Sequence, residues 1–204
     1  LGAFLRRTLI LASSSPRRLS LLKLVGLNPV VVGPDVEEVR EGAAPEVLVT
    51  LNALAKANVV SNYLGVPRDA VIVAADTLVT VGDLVLGKAR SRDEVREFLK
   101  LLSGRWHRVV TGVAIKDLER ELTEAFFVNT WVRFRDLSNE EIEYYVATGE
   151  GVGKAGGYAI QGMGAGLIAE VRGDPYNVAG LPISRVCEVL KDLGIYCFIP
   201  SKTS

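Results

Sequence analysis

The feature that most constrains this chain is Val71-Ile72-Val73-Ala74-Ala75, an unbroken apolar run that ends at Asp76-Thr77. Such a run, bounded by polar residues, reads as a buried strand. It delivers a carboxylate at its end, the place where open α/β sheets put functional groups. A second short strand, residues 9–12, ends in Ser13-Ser14-Ser15; Pro16 then opens a helix with Leu19, Leu22 and Val25 at helical spacing and Gly26 beyond. Residues 30–32 offer another strand, and Pro45 opens a long helix through Leu64.

After Asp76-Thr77 a strand pair turns at Gly82-Asp83. Ser91-Arg92-Asp93-Glu94 and Ser138-Asn139-Glu140-Glu141 are two capping boxes, starting a helix that stops at Gly104 and another that stops at Gly149. Between them, residues 106–116 and 122–135 read as two long strands around a polar turn. Residues 154–166 are rich in glycine; a further apolar stretch leads to a Gly173-Asp174 turn, and Gly180-Leu181-Pro182 opens a last helix through Leu193. Helices interleave with strands, but the long paired strands point to a mixed sheet in an α/β fold. No repeat or linker divides the chain, so residues 1–204 are expected to form one domain.

Composition excludes some classes of function. With 49% hydrophobic and 24% charged residues, the 204-residue chain carries enough apolar material for a sizeable core. Twenty-four basic and twenty-four acidic side chains cancel, which removes the global field of a non-specific nucleic-acid binder and leaves any phosphate recognition to local groups. The apolar part of residues 1–12 is too short for a signal peptide or a membrane span, and a cytoplasmic location is expected. Cys187 and Cys197 lack metal-ligand spacing and read as free, buried apolar residues in a reducing compartment, although their ten-residue separation permits a disulfide.

Five groups of residues are weighed as candidates for chemistry. In Ser13-Ser14-Ser15-Pro16-Arg17-Arg18, hydroxyls and backbone amides at a helix N-terminus precede two guanidinium groups, which suits a phosphate; an N-cap serine followed by two solvated arginines would look the same. Asp76 is placed to hold a divalent cation or orient a water, with Glu37 or Glu38 as a second carboxylate, since magnesium takes one or two carboxylates plus substrate phosphates. Lys56, inside an otherwise apolar helix stretch, and Lys88, in Leu86-Gly87-Lys88, are placed to face phosphate oxygens, although a lysine in Lys56's setting commonly snorkels to solvent. The sole histidine, His107, has no companions for a zinc site and no serine or cysteine elbow to activate, so a structural role is expected. In residues 154–162, glycines let backbone approach a ligand, and Gln161 offers one donor and one acceptor, the pair that a uracil or thymine ring requires.

Taken in order, these segments resemble the Maf-like family of nucleoside triphosphate pyrophosphatases. The resemblance runs through residues 11–18, Ala75-Asp76-Thr77, Leu86-Gly87-Lys88, Leu102-Ser103-Gly104 with His107 and Thr111-Gly112, Lys154-Ala155-Gly156, Ile160-Gln161-Gly162 and Gly180-Leu181-Pro182. It implies a long mixed sheet flanked by helices with a central cleft between two lobes, similar to the inosine triphosphate pyrophosphatases. It also implies that Asp76 is the proton acceptor, that Glu38, Lys56 and Lys88 complete the catalytic set, and that Arg17, Thr77 and Gln161 bear on substrate choice. Ile-Gln-Gly in place of Ser-Glu-Gly is similar to the subgroup acting on dTTP and UTP, which points to a pyrimidine triphosphate, ordinary or modified. The expected parts are therefore Mg²⁺ or Mn²⁺ on Asp76 and Glu38, the triphosphate against Ser13, Ser14, Ser15, Arg17, Arg18 and Thr77, and a homodimer that binds neither nucleic acid nor membrane. The rival is a nucleotide-binding regulator of division or stress that does not hydrolyse. Two departures stand out: Ala89 follows Lys88 where the family usually has proline, and the stretch between Glu38 and Lys56 differs in length from some relatives.

Overall fold

A computed structural model describes residues 7–198. Among them are seven strands in one mixed sheet and six α-helices. The strands are β1 (Leu9–Ala12), β2 (Val30–Val31), β3 (Val71–Val81), β4 (Leu84–Leu86), β5 (Trp106–Asp117), β6 (Leu122–Phe134) and β7 (Ile168–Arg172). The helices are α1 (Pro16–Leu24), α2 (Pro45–Ser61), α3 (Arg92–Leu102), α4 (Asn139–Thr148), α5 (Pro175–Val178) and α6 (Ile183–Asp192), with a 3₁₀ helix at Met163–Leu167.

The sheet order is β2-β1-β3-β5-β6-β7, with β4 folded back on β3. β1 pairs in parallel with β2 and β3, and every other pairing is antiparallel, so the expected mixed α/β sheet is present. Alternation along the strands sorts the core onto two faces. Leu9, Leu11, Val71, Val73 and Ala75 pack with Leu21 and Leu22 of α1 and Val186 and Leu190 of α6. Ile10, Ala12, Ile72 and Ala74 face the other way, onto Ala53, Ala57 and Val60 of α2. Further along, Val79, Val81 and Val109 join α3 and α4 in a separate cluster.

The apolar run was expected to end as a strand at Asp76, but β3 continues to Val81. Its antiparallel partner β5 supplies a continuous ladder from Val71↔Asp117 to Thr80↔Arg108, which gives β3 no reason to stop. On the opposite edge, β1 pairs only as far as Ala74 and β4 begins only at Val79. Residues 75–78 therefore line a gap in the sheet, and Asp76 sits just beyond the carboxyl end of β1.

One glycine sets the depth at which α2 lies on this face. Gly112 is the register partner of Asp76, and a Cβ there would meet the Val49 carbonyl carbon at 2.4 Å and the Thr50 nitrogen at 2.6 Å. The α2 backbone thus rests directly on the sheet beside Asp76, and the helix side chains that follow reach the carboxylate.

Other local expectations meet mixed outcomes. Ser138 and Glu141 form the full reciprocal box at α4. At α3 only half of it forms: Ser91 Oγ accepts from Glu94 N, while the Glu94 carboxylate takes the amide of Arg90 rather than that of Ser91. The short helix α5 follows Asp174, whose carboxylate caps Tyr176 N. The two cysteines are joined in a disulfide, which corrects the expectation of free thiols and removes them as an argument for a reducing compartment. After α6 the chain reverses at Gly194 (φ +83°), and the amide of Phe198 donates to the carbonyl of Val25, so Cys197 returns to within 6.1 Å of Cys187, Cα to Cα. No helix among the described residues is long and apolar enough to cross a membrane. The signal-peptide reading falls partly on residues 1–6, which lie outside the described residues.

His107 is buried, 2.8 Å from the Tyr158 hydroxyl and edge-on to the rings of Phe134 and Tyr158. Burial pushes its pKa down to about 4. The unfolded chain takes up the proton from pH 6.5 downward while the folded one refuses it, so stability is lost as pH falls from 6.5 toward 4, by about 3 kcal/mol from this group. Urea denaturation of His107→Gln across that window is expected to give a shallower pH dependence than wild type. Gly112→Ala drives a methyl group into the α2 backbone and is expected to lower the unfolding free energy by about 2–3 kcal/mol, whereas Gly166→Ala, into open space, is expected to leave it nearly unchanged.

Candidate active site

A cavity of about 710 Å³ opens at the gap in the sheet, lined from both sides of the break. The β1–α1 turn contributes Ser13, Ser14, Ser15, Arg17 and Arg18; the stretch after β2 contributes Glu38; α2, β3 and the segment after β4 contribute Lys56, Thr77 and Lys88. Asp76 does not line the cavity surface. It is 1% exposed, behind the groups that bind it.

Those groups form a compact charge cluster. The Lys56 ammonium donates to Glu38 Oε1 at 2.6 Å and to Asp76 Oδ1 at 2.9 Å, holding two carboxylates on one cation. Asp76 Oδ2 accepts from Asn52 Nδ2 at 2.8 Å and from Arg40 at 3.0 Å, and Arg40 also pairs with Glu38. Lys88 reaches Glu38 Oε1 at 3.2 Å. Asn52 exchanges two hydrogen bonds with the main chain of Val39, both 2.9 Å, which fastens the Glu38 loop to α2. Of the two glutamates left open by the sequence, Glu38 enters the cluster, while Glu37 is exposed.

The ionisation states follow from this packing. Burial opposes charge on Asp76, but the charges of Lys56 and Arg40 and the hydrogen bonds from Lys56 and Asn52 outweigh it, keeping the carboxyl below its ordinary range. Burial lowers Lys56 to about 8 despite the attraction of Asp76, and it lowers Lys88 in the same direction.

The phosphate-binding reading of residues 13–18 divides in two. Arg18 is buried, and three of its donors serve the fold: Nε to the Gly180 carbonyl (2.8 Å), Nη1 to Ser13 Oγ (3.2 Å) and Nη2 to Thr77 Oγ1 (3.1 Å). A guanidinium has five N–H donors, so two remain for a ligand. Arg17 is half-buried and makes no hydrogen bond or ion pair within the described residues; burial lowers its pKa. The first turn of α1 has no side-chain cap, which leaves its backbone N–H groups available to an anion. Thr77 also touches the Thr111 hydroxyl at 2.9 Å.

Gln161 lies apart from the carboxylates. It lines a neighbouring depression of about 410 Å³ together with Ser20 and Glu150, and this depression shares Pro16, Arg17 and Lys154 with the main cavity. The glycine-rich stretch is knitted to the Lys88 segment: Lys88 bridges Ala155, and the Ala89 amide donates to the Lys154 carbonyl at 3.0 Å. A proline at 89 has no such N–H, so the departure from the family pattern is matched by a bond that only a non-proline residue makes.

Sequence reasoning missed Arg40 and Asn52 as parts of the site, and named Lys154 only as the start of the glycine-rich stretch. Asn52 had a readable signal, being a polar residue one helical turn before Lys56 in an otherwise apolar stretch. Arg40 had none.

Donor chemistry bears on the expected divalent ion. Among the described residues no group of three or more histidine, cysteine, aspartate or glutamate side chains could hold a metal. Two carboxylates share one ammonium, however, and a pair of this kind suits magnesium, which completes its shell from water and substrate phosphates.

A family model described as Maf-like protein matches residues 8–193. The chain is 48% identical over 192 residues to a protein of Symbiobacterium thermophilum called dTTP/UTP pyrophosphatase, covering 93% of this chain and 96% of that one. It is 41% identical over 192 residues to the dTTP/UTP pyrophosphatase of Dictyoglomus thermophilum (93% and 98%) and 43% identical over 190 residues to that of Bacillus cereus (93% and 97%). With near-complete coverage on both sides and its motifs in the family's order, the chain belongs to the Maf-like protein family.

Proposed function

We propose that this protein is a nucleoside triphosphate pyrophosphatase that cleaves dTTP or UTP, or a modified pyrimidine counterpart, to the monophosphate and pyrophosphate. The observation that carries this reading is the cluster in which Lys56 holds Asp76 and Glu38 together at the floor of a cation-rich cavity. The names of the relatives support the reaction and the substrates. A sensor that binds without hydrolysing has no use for two carboxylates gathered on one ammonium.

In this reading water attacks the α-phosphorus, the bond to the bridging oxygen breaks and pyrophosphate leaves. Asp76 accepts the proton of the water. Its basicity rises as Lys56 and Arg40 turn from the carboxylate toward phosphate oxygens, because those two charges are the largest of the influences that lower its pKa. Lys88, Arg17 and the free donors of Arg18 neutralise the triphosphate, assisted by the uncapped first turn of α1 and the serines before it. Asp76 and Glu38 would hold Mg²⁺ or Mn²⁺, which when bound supplies further neutralisation of the phosphates. Rate comes from positioning and electrostatics, as phosphoryl transfer requires. Gln161 reads the pyrimidine edge with its amide. The same reading takes the chain as a single domain in which the gap is a cleft between two lobes of an elongated sheet. A homodimer and a cytoplasmic setting belong to it on the family likeness alone.

Incubation with UTP and Mg²⁺ is expected to release pyrophosphate. Asp76→Asn is expected to reduce that release at least about 10³-fold with the circular dichroism spectrum unchanged. A variant that releases pyrophosphate at the wild-type rate would remove Asp76 from the reaction.

A further inference from the structure

We infer that Glu150 is a positioning residue that sets base selectivity by fixing the loop on which Gln161 is presented. The inference rests on the reading that Gln161 contacts the base. The Gln161 side chain makes no hydrogen bond within the described residues, so its amide is free for a ligand and its placement depends on its backbone. That backbone is held two and three residues later. Glu150 Oε1 accepts from Met163 N and Oε2 from Gly164 N, both at 2.9 Å. These two amides open the 3₁₀ helix that follows Gly162, and amides in a first helical turn have no partner inside the helix.

The carboxylate also lies directly against the loop. A Cβ on Gly162 would sit 2.0 Å from Glu150 Oε1, so a side chain on the residue after Gln161 would displace this carboxylate. From the other side, the buried Tyr145 of α4 donates its hydroxyl to Glu150 Oε2 at 2.8 Å. Glu150 itself follows Gly149, the left-handed end of α4, and its amide donates to Thr148 Oγ1 at 3.1 Å. Its position is therefore set by a helix whose start is locked by a full capping box. A continuous chain of contacts runs from α4 through Tyr145 and Glu150 to the main chain beside Gln161. Where α4 and Glu150 sit decides where the amide of Gln161 meets a base.

Steady-state kinetics with UTP and GTP test this in wild type, Glu150→Gln, Tyr145→Phe, Gln161→Ala and the double variant Glu150→Gln/Gln161→Ala. Glu150→Gln sets an NH₂ group against one of three donors. It is expected to lower the UTP-to-GTP ratio of kcat/KM at least about 10-fold, with KM for UTP rising more than kcat falls. Tyr145→Phe is expected to move the ratio in the same direction by less, and it carries the test should Glu150→Gln not fold. In the Gln161→Ala background the Glu150 change is expected to add less than about 2-fold, because the two act through one contact. The inference is overturned if Glu150→Gln lowers kcat/KM equally for both nucleotides, or if its effect on the ratio persists without Gln161. If Gln161→Ala leaves the ratio unmoved, base reading by Gln161 fails and this inference fails with it. A ratio that responds to Gln161 but not to Glu150 or Tyr145 overturns the positioning role alone.

Discussion

The site depends on a helix lying with its backbone against a sheet. Because Gly112 has no side chain, Val49 and Thr50 touch the strand beside Asp76, and Asn52 one turn on and Lys56 two turns on come down onto the carboxylate. A carboxylate that is 1% exposed is costly to ionise unless it is paired and hydrogen-bonded. Asp76 is both, with Lys56, Asn52 and Arg40 on its two oxygens. The same contacts that make a buried anion tolerable gather cations at the point where a polyanion is to be bound.

The break in the sheet edge gives that cluster its access. β1 stops at Ala74 of its partner and β4 joins only at Val79, so β3 passes through the gap with Asp76 directed to the α2 face and Thr77 to the other. Three separate segments meet there: the serine turn after β1, the Glu38 loop clamped by Asn52, and the Lys88 segment knitted to the glycine-rich stretch. A triphosphate spanning the gap would touch all three, while its base would reach toward the depression where Gln161 lies.

Much of this was legible in the sequence, for physical reasons that can be named. Apolar runs and helix-start signals located β1, α1, α2, β5, β6 and α4 to within a few residues, because each depends on local periodicity and capping. Asp76, Glu38, Lys56 and Lys88 were singled out as chemistry-bearing residues, and the fold brings their side chains into one cluster. What failed was decided by distant partners. β3 runs past Asp76 because β5 continues opposite it, and Cys187 meets Cys197 because the chain turns back at Gly194. Arg40 was invisible, since an arginine in an acidic loop carries no local sign that it bridges two carboxylates.

The most direct measurement is a crystal structure with a UTP analogue carrying a methylene group between the α and β phosphorus atoms, grown with Mg²⁺. The account expects the α-phosphorus beside Asp76, the terminal phosphates against Arg17 and Lys88, and the uracil edge at Gln161. A triphosphate bound away from Asp76 and Lys56, with their mutual contacts undisturbed, would contradict it.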